Sequence, residues 1–361
     1  MCHREAVHPD VLHLLASDRL RGAETFGYDL HMTMRERGVH SDICCLVPGE
    51  GDRRLPITAL APSRFSVSGV RALRQRAADT RVVVAHGSST LLACGAGLAA
   101  TGVPFVYVSI GDPRYWAGTR LRRLRAGWLI RRAAAAVAIS PSARDVLASC
   151  YGLDHVRLHV IPNGRDADRF RPADHERKTA ARLGFGLPVD QDIVAVVGAL
   201  SPEKRVDVAI SAVARMPELV LVIAGDGPER AALEAFAQRC APGRVHFLGN
   251  VDRPADVLAA ADVLALSSDS EGVPGILIEA GLSGIPVVAT DVGWVSDVVQ
   301  PSATGLLVPP GDPGRLASGL RQALDRRDAF GKAGREHCVA AFDMAGVTDR
   351  WQRLLADVSR A

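Results

Sequence analysis

Short, unbroken runs of valine, isoleucine, leucine and alanine recur along the chain, and stretches of helical period separate them. In the first half such runs predict strands at 11–16, 43–47, 81–85, 104–109, 135–139 and 158–161. A second series follows at 193–198, 219–224, 245–248, 262–266, 285–289 and 305–308. Continuous apolar runs fit strands buried on both faces, and strands alternating with helices give parallel sheets. The expected fold is therefore α/β, with two doubly wound Rossmann-like domains facing one another across a cleft. Their expected bounds are 1–175 and 188–343, with a charged, then turn-rich seam at 170–192. A last helix over 344–361 has Trp351, Leu354 and Leu355 at helical spacing and no strand after it. It is expected to pack back on the first domain. Ligands of such sheets bind beyond the carboxyl ends of the strands.

A length of 361 residues suits two cores better than one. No apolar run reaches the roughly 18 residues that span a bilayer, and the polar start MCHREAVHPD does not read as a signal peptide. Seven cysteines without a CxxC pair, two of them adjacent at Cys44 and Cys45 in an apolar run, suggest buried thiols and a reducing cytoplasm. The net charge of +3 divides unevenly: residues 1–170 carry +8 and residues 171–361 carry −5. A positive first half invites an anionic partner. Nucleic acid is not expected as that partner, because aromatic residues are only 5% and do not interleave with the basic stretches.

The richest segment is SSDSEGVPGILIEAGLSGIPVVAT at 267–290. Glu271 and Glu279 stand eight residues apart around the turn Gly272-Val273-Pro274-Gly275, between a strand and a short helix. A helix start offers unsatisfied amides and the positive end of its dipole to an anion. Glycine lets the backbone approach closely, and a carboxylate accepts two hydroxyl hydrogen bonds. A nucleotide-sugar meets both demands. The plain alternative is two exposed acids on an ordinary loop and helix.

Other fragments extend the pattern in order: Gly22-Ala23-Glu24 preceded by Arg21, then IPNGRDADRFRP at 161–172 and VGALSPEKRVDVAISA at 197–212. AGDGPER at 224–230, HFLGNV at 246–251 and TGLLVPPGD at 304–312 complete it. Together they resemble the retaining glycosyltransferases of family four, whose architecture is called GT-B. The resemblance implies transfer of a sugar from a nucleotide-diphosphate donor to a hydroxyl acceptor (a glycan, a lipid-linked or a small-molecule acceptor), with no metal and no other cofactor. It also implies that Glu279 grips the ribose hydroxyls and that Glu271 sits by the donor sugar. The amides of Gly275, Ile276 and Leu277 would receive the distal phosphate, and Asn250 and Val251 would flank the base. Lys204 and Arg205 would stabilise the diphosphate as charge develops.

Three departures stand out. The family has an arginine directly after the strand's glycine, where this chain has Ala199, and a common glycine where it has Arg205. Of the usual double glycine in the first loop only Gly22 remains, with Arg21 before it. Asp112 occupies the region of a family histidine near the reacting carbon, and reads either as facing the sugar or acceptor or as a turn residue before Pro113. His86, at a strand end, is a cleft candidate or a structural histidine.

Other features have two readings. Asp166-Ala167-Asp168 has the DxD spacing of a divalent-cation site, but lies in a segment that the resemblance makes structural. Gly95-Ala96-Gly97 loosely echoes a dinucleotide fingerprint and equally suits close helix packing. The stretch 119–132, with six arginines among Leu121, Leu124, Trp128 and Leu129, is either a helix with its apolar face in the core or a contact with anionic lipid. The corresponding location is cytoplasmic, with peripheral contact to the inner membrane face. A nucleotide-sugar epimerase of the same architecture, or a nicotinamide-dependent oxidoreductase, remain the rival activities.

Overall fold

The computed structural model describes residues 10–19, 22–50, 54–64, 66–116 and 119–360. The chain divides into two compact units: Met1–Gly164 with Met344–Ala361, and Arg165–Asp343. Each unit is organised around its own parallel sheet.

The sheet of the first unit is formed by β1 (Val11–Ser17), β2 (Ser41–Val47), β3 (Thr58–Ala59), β4 (Val82–His86), β5 (Phe105–Ser109), β6 (Ala135–Ala138) and β7 (Leu158–Val160). Its order is β3-β2-β1-β4-β5-β6-β7, all parallel, so the winding reverses between β1 and β4. Residues of β1, β4, β5 and β6 are buried throughout or nearly so, because helices cover both faces. Only β3 escapes the sequence pattern: two residues at a sheet edge leave no period to read. Cys44 and Cys45 on β2 are fully buried, and burial pushes both thiols up to about 12. The helix Met344–Arg360 belongs to this unit, burying Val347, Trp351, Leu354 and Leu355. Arg37 of the helix Gly22–Glu36's C-terminal turn donates to Asp349 at 2.6 Å.

The second unit holds β8 (Asp192–Val197), β9 (Leu219–Ala224), β10 (Val245–Gly249), β11 (Val263–Leu266), β12 (Val287–Thr290) and β13 (Gly305–Val308). The order β10-β9-β8-β11-β12-β13 is again parallel, with the reversal between β8 and β11. One apolar cluster packs the helices Val206–Ala214 and Pro313–Asp325 against one face. Another packs the helices Pro254–Ala260 and Gly275–Leu282 against the other.

The units part at Gly164 and Arg165, earlier than the expected limit of 175. Residues after 164 join the second unit because Arg165 N donates to Phe342 O at 2.9 Å and Phe170 is buried in the second core. The stretch expected as a seam instead contains the helix His175–Gly184, capped by Asp174. Arg182 on that helix is buried and donates to Asp262 at 2.6 Å, while Ile193 N donates to the same carboxylate at 2.7 Å. Buried charges persist when paired and hydrogen-bonded in this way. The pairing secures the starts of β8 and β11, the ends remote from the loops described next.

Candidate active site

At a reversal of strand order the loops leaving the two neighbouring strands diverge and leave a crevice at their carboxyl ends. In the second unit those strands are β8 and β11. From β8 the chain passes through Gly198 to a single 3-10 turn, Pro202–Lys204. From β11 it enters the loop 267–274. Lys204 Nζ donates to Glu271 Oε1 at 2.7 Å, and Ser268 Oγ donates to the same oxygen at 2.6 Å. Only 8% of the Glu271 side chain is exposed. Three further bonds hold the two loops and β12 in place. Ser267 Oγ donates to Lys204 O at 3.0 Å, Asp269 N to Glu203 O at 2.8 Å, and Thr290 Oγ1 to Ser268 O at 2.6 Å.

Glycines allow backbone to lie on backbone here. Gly293, at φ +56°, lies so close to Glu271 that a Cβ would overlap the Glu271 carbonyl oxygen. Gly225 and Gly227 lie in the same manner against Gly198 O and Leu200 O. Leu200 N donates to Asp226 O, and Glu229 N donates back to Leu200 O, both at 3.0 Å. The AGDGPE run is therefore the clamp that shapes the loop leading to Lys204.

The helix Gly275–Leu282 starts after Pro274 with no side-chain cap and buries Leu277, Ile278, Ala280 and Gly281. Leu277 N donates to Pro274 O at 3.2 Å, so the amides of Gly275 and Ile276 precede it at the helix tip. Glu279, one turn on, accepts from Arg165 Nε at 2.7 Å. Arg165 is buried, and its guanidinium lies over Gly275 where any Cβ would collide with it. A cation at the positive end of a helix dipole is unfavourable unless an anion offsets it. Glu279 supplies one negative charge there.

Arg165 is the site residue that sequence reading missed. Its only signal was an arginine within IPNGRDADRFRP, a segment that resemblance assigned to structure.

Other expected residues take different positions. Arg205 adopts φ +46°, the left-handed region that suits glycine, which accounts for the common glycine of the family. Its guanidinium donates to both oxygens of Asp207 at 3.0 Å and to Asp269 at 3.2 Å. Hydrogen bonds to Asp207 and then Asp269 push its pKa upward. Arg205 is thus tied to two carboxylates of its own, apart from the Lys204–Glu271 pair. Asn250 is exposed and Val251 half-buried just beyond β10.

In the first unit, Gly22 opens the helix Gly22–Glu36 with free space around its α-carbon; Arg21 lies outside the described residues. Asp112 accepts from Arg114 N at 2.8 Å and from Arg114 Nη2 at 2.6 Å, the geometry of a turn residue heading the helix Pro113–Trp116. His86 is buried with its Nε2 at 3.1 Å from His13 Nδ1, and burial drives it down to about 3. That is an interior histidine, and a neutral one.

Asp166 Oδ1 accepts from the amides of Asp168 at 2.8 Å and Arg169 at 3.1 Å, so the DxD run is a turn. Among the described residues no cluster of three or more histidine, cysteine or acidic side chains is arranged to hold a metal ion. Gly95 and Gly97 pack against Leu129 and Leu73, as a small-residue helix face does.

The helix Arg120–Ile130 corrects an expectation. It buries Ala126, Gly127, Leu129 and Ile130, while Leu121, Leu124 and Trp128 are exposed by 67%, 65% and 58%. Of the four apolar positions named from the sequence, Leu129 faces the core with Ala126, Gly127 and Ile130, while Leu121, Leu124 and Trp128 point to solvent.

Two family descriptions match the chain: "Glycosyl transferases group 1" over residues 178–337 and "Glycosyltransferase Family 4" over residues 20–169. The chain belongs to the family four, group 1 glycosyltransferases, and its two Rossmann-like units give it the GT-B fold. D-inositol 3-phosphate glycosyltransferase of Mycolicibacterium smegmatis is 36% identical over 225 residues, covering 60% of this chain and 50% of that protein. The same enzyme of Mycobacteroides abscessus is 37% identical over 227 residues, covering 60% and 49%. The chain thus spans about half the length of the curated relatives it matches.

Among solved structures, Anabaena HepE in complex with UDP-glucose aligns with a TM-score of 0.83 at 21% identity, over 96% of this chain and 99% of that one. Sucrose-phosphate synthase from Thermosynechococcus elongatus aligns at 0.81 and 21%, over 97% and 99%. At that identity the likeness concerns the fold.

Proposed function

We propose that this chain transfers a glycosyl unit from a nucleoside-diphosphate sugar to an acceptor hydroxyl, with retention of anomeric configuration. One observation carries the reading: the two glutamates of the 267–280 segment each hold a cation, Lys204 on Glu271 and Arg165 on Glu279, at a helix start that no side chain caps by a hydrogen bond. Two carboxylates can grip hydroxyls, and two cations with helix amides can bind a diphosphate.

In the proposed reaction the bond from the anomeric carbon to the phosphate oxygen breaks. A bond to the acceptor oxygen forms on the same face, and the acceptor proton passes to the departing phosphate. Lys204, Arg165 and the amides of Gly275 and Ile276 stabilise the charge that builds on the leaving group. Glu271 orients the sugar and Glu279 the ribose. Asn250 and Val251 flank the base. Arg205 shapes the loop through Asp207 and Asp269. These groups supply the positive charge without a metal ion, and the reading calls for none.

The named relatives act on an inositol phosphate and a named structural neighbour binds UDP-glucose, which makes uridine donors and polyol acceptors the first to try. The test is release of nucleoside diphosphate from a panel of such donors with and without polyol acceptors. Acceptor-dependent release that disappears in Glu279→Ala supports the assignment. Equal release by wild type and variant contradicts it.

A further inference from the structure

We infer that the helix Arg120–Ile130 is a docking surface for an anionic lipid bilayer. Leu121, Leu124 and Trp128 occur at positions i, i+3 and i+7, one stripe along a helix, and all three are exposed. The stripe lies opposite the face formed by Ala126, Gly127, Leu129 and Ile130, which the core covers. The helix is therefore fixed to the fold by one side and presents large apolar groups on the other. Solvent-facing leucines and a tryptophan in register are costly in water and call for a partner.

Charge selects that partner. From Pro113 to Arg144 the sequence contains eight arginines and no acidic residue. On a helical projection Arg125 and Arg132 lie along one edge of the apolar stripe, and Arg120 and Arg131 along the other. Arg132 stacks over the Trp128 ring at 5.0 Å, and Arg131 is anchored by donating to Tyr151 O. A leucine–tryptophan stripe bordered by guanidinium groups matches the boundary between acyl chains and anionic head groups, where the rings and leucines sink a few ångströms and arginines stay with phosphate.

A second copy of this face is the poorer partner, since pairing would bring arginine against arginine. Nucleic acid would engage the guanidinium groups and leave Leu121 and Leu124 in water. The surface stands independently of the donor site, and its test reads binding without turnover.

The full chain is sedimented with phosphatidylcholine vesicles and with vesicles in which part of the lipid is phosphatidylglycerol. Partition to the anionic vesicles alone is expected, falling as salt is raised. In a Trp116→Phe background the fluorescence of Trp128 is expected to shift to the blue on binding, because Trp294 and Trp351 are buried and give a constant background. The exposed triple change Leu121→Ser, Leu124→Ser, Trp128→Ser is expected to abolish partition while thermal melting is unchanged. Arg120→Gln with Arg125→Gln is expected to weaken it by about tenfold or more.

No partition to either vesicle overturns the inference. So does partition that the triple variant retains in full, or a concentration-dependent dimer of the wild type that this variant dissolves.

Discussion

Lys204 and Glu271 are 67 residues apart in sequence and meet at 2.7 Å, because β8 and β11 are the two neighbouring strands where the second sheet reverses its winding. The pair closes the crevice that every doubly wound sheet leaves at that place. Removing Lys204 takes a cation from the expected position of the leaving diphosphate. Lys204→Ala should lower the turnover number by about 100- to 1000-fold. Glu271 keeps its bond from Ser268, so the loss of stability should stay within about 1–3 kcal/mol. Steady-state release of nucleoside diphosphate and a thermal melt check both halves. Arg205→Gly provides the contrast: glycine suits φ +46°, and turnover within a few-fold of wild type is expected.

Arg165 and Glu279 form the second pair, and both are largely withdrawn from water. Removing Arg165 takes the cation from a carboxylate largely withdrawn from water, at a cost of about 3–5 kcal/mol. The double replacement by alanine should cost less than the two single costs combined, which a double-mutant cycle reads directly. Arg165→Ala should also reduce the rise in melting temperature given by a nucleoside diphosphate. An increased rise would instead mean that Arg165 competes with the ligand for Glu279.

Gly293 tests whether the Glu271 loop needs its backbone contact. Alanine there would meet the Glu271 carbonyl oxygen and would also have to hold φ +56°. Gly293→Ala should destabilise by roughly 1–3 kcal/mol and lower donor binding with it. Gly346→Ala, in a helix with open space around it, is the control and should be tolerated. Equal melting temperatures and donor binding for wild type and Gly293→Ala would show that the loop adapts freely.

Acid stability should report the buried histidines of the first unit. His86 is held down to about 3 by burial, and His13 is lowered well below 6.5 by burial and by the nearby His86. Both are neutral when folded, whereas an unfolded chain takes up protons below about 6.5. The unfolded state then binds more protons, so stability falls as pH drops from about 6.5 toward 3 and is flat above that window. Melting temperatures across pH 8 to 4 should show that bend. The double variant His13→Leu, His86→Leu should show a shallower acid limb, with His31, His159 and His337, also lowered by burial, among the other contributors.

The strands were legible because unbroken runs such as LVLVIA at 219–224 have one physical meaning among alternating strands and helices: burial on both faces of a parallel sheet. Glu271 and Glu279 stood out by their spacing around a glycine turn and Lys204 by the family resemblance, and the structure pairs Lys204 with Glu271. Arg165 was not, because its partner lies 114 residues away and nothing local distinguishes it from a surface arginine. The backbone of Arg205 hides its meaning in a φ angle that no side-chain pattern records. The helix Arg120–Ile130 misled for another reason. Period alone finds an apolar face, but here Ala126, Gly127, Leu129 and Ile130 make the buried side, and Leu121, Leu124 and Trp128 the exposed one. The unit boundary moved to 164–165 because a few contacts, Arg165 with Phe342 and Phe170 with the second core, outweighed composition.

The central question is whether a nucleoside diphosphate binds at the tip of the helix Gly275–Leu282 with Glu279 beneath it. Thermal melting of the wild type and of Glu279→Ala with UDP, GDP and ADP, each read against its own ligand-free baseline, answers it most directly. A ligand at about 100 times its dissociation constant adds about 2.7 kcal/mol to the native state. At least one of the three should raise the wild-type midpoint, and the rise should vanish in Glu279→Ala. No rise with any nucleotide, or the same rise in the variant, would contradict a donor site at this helix.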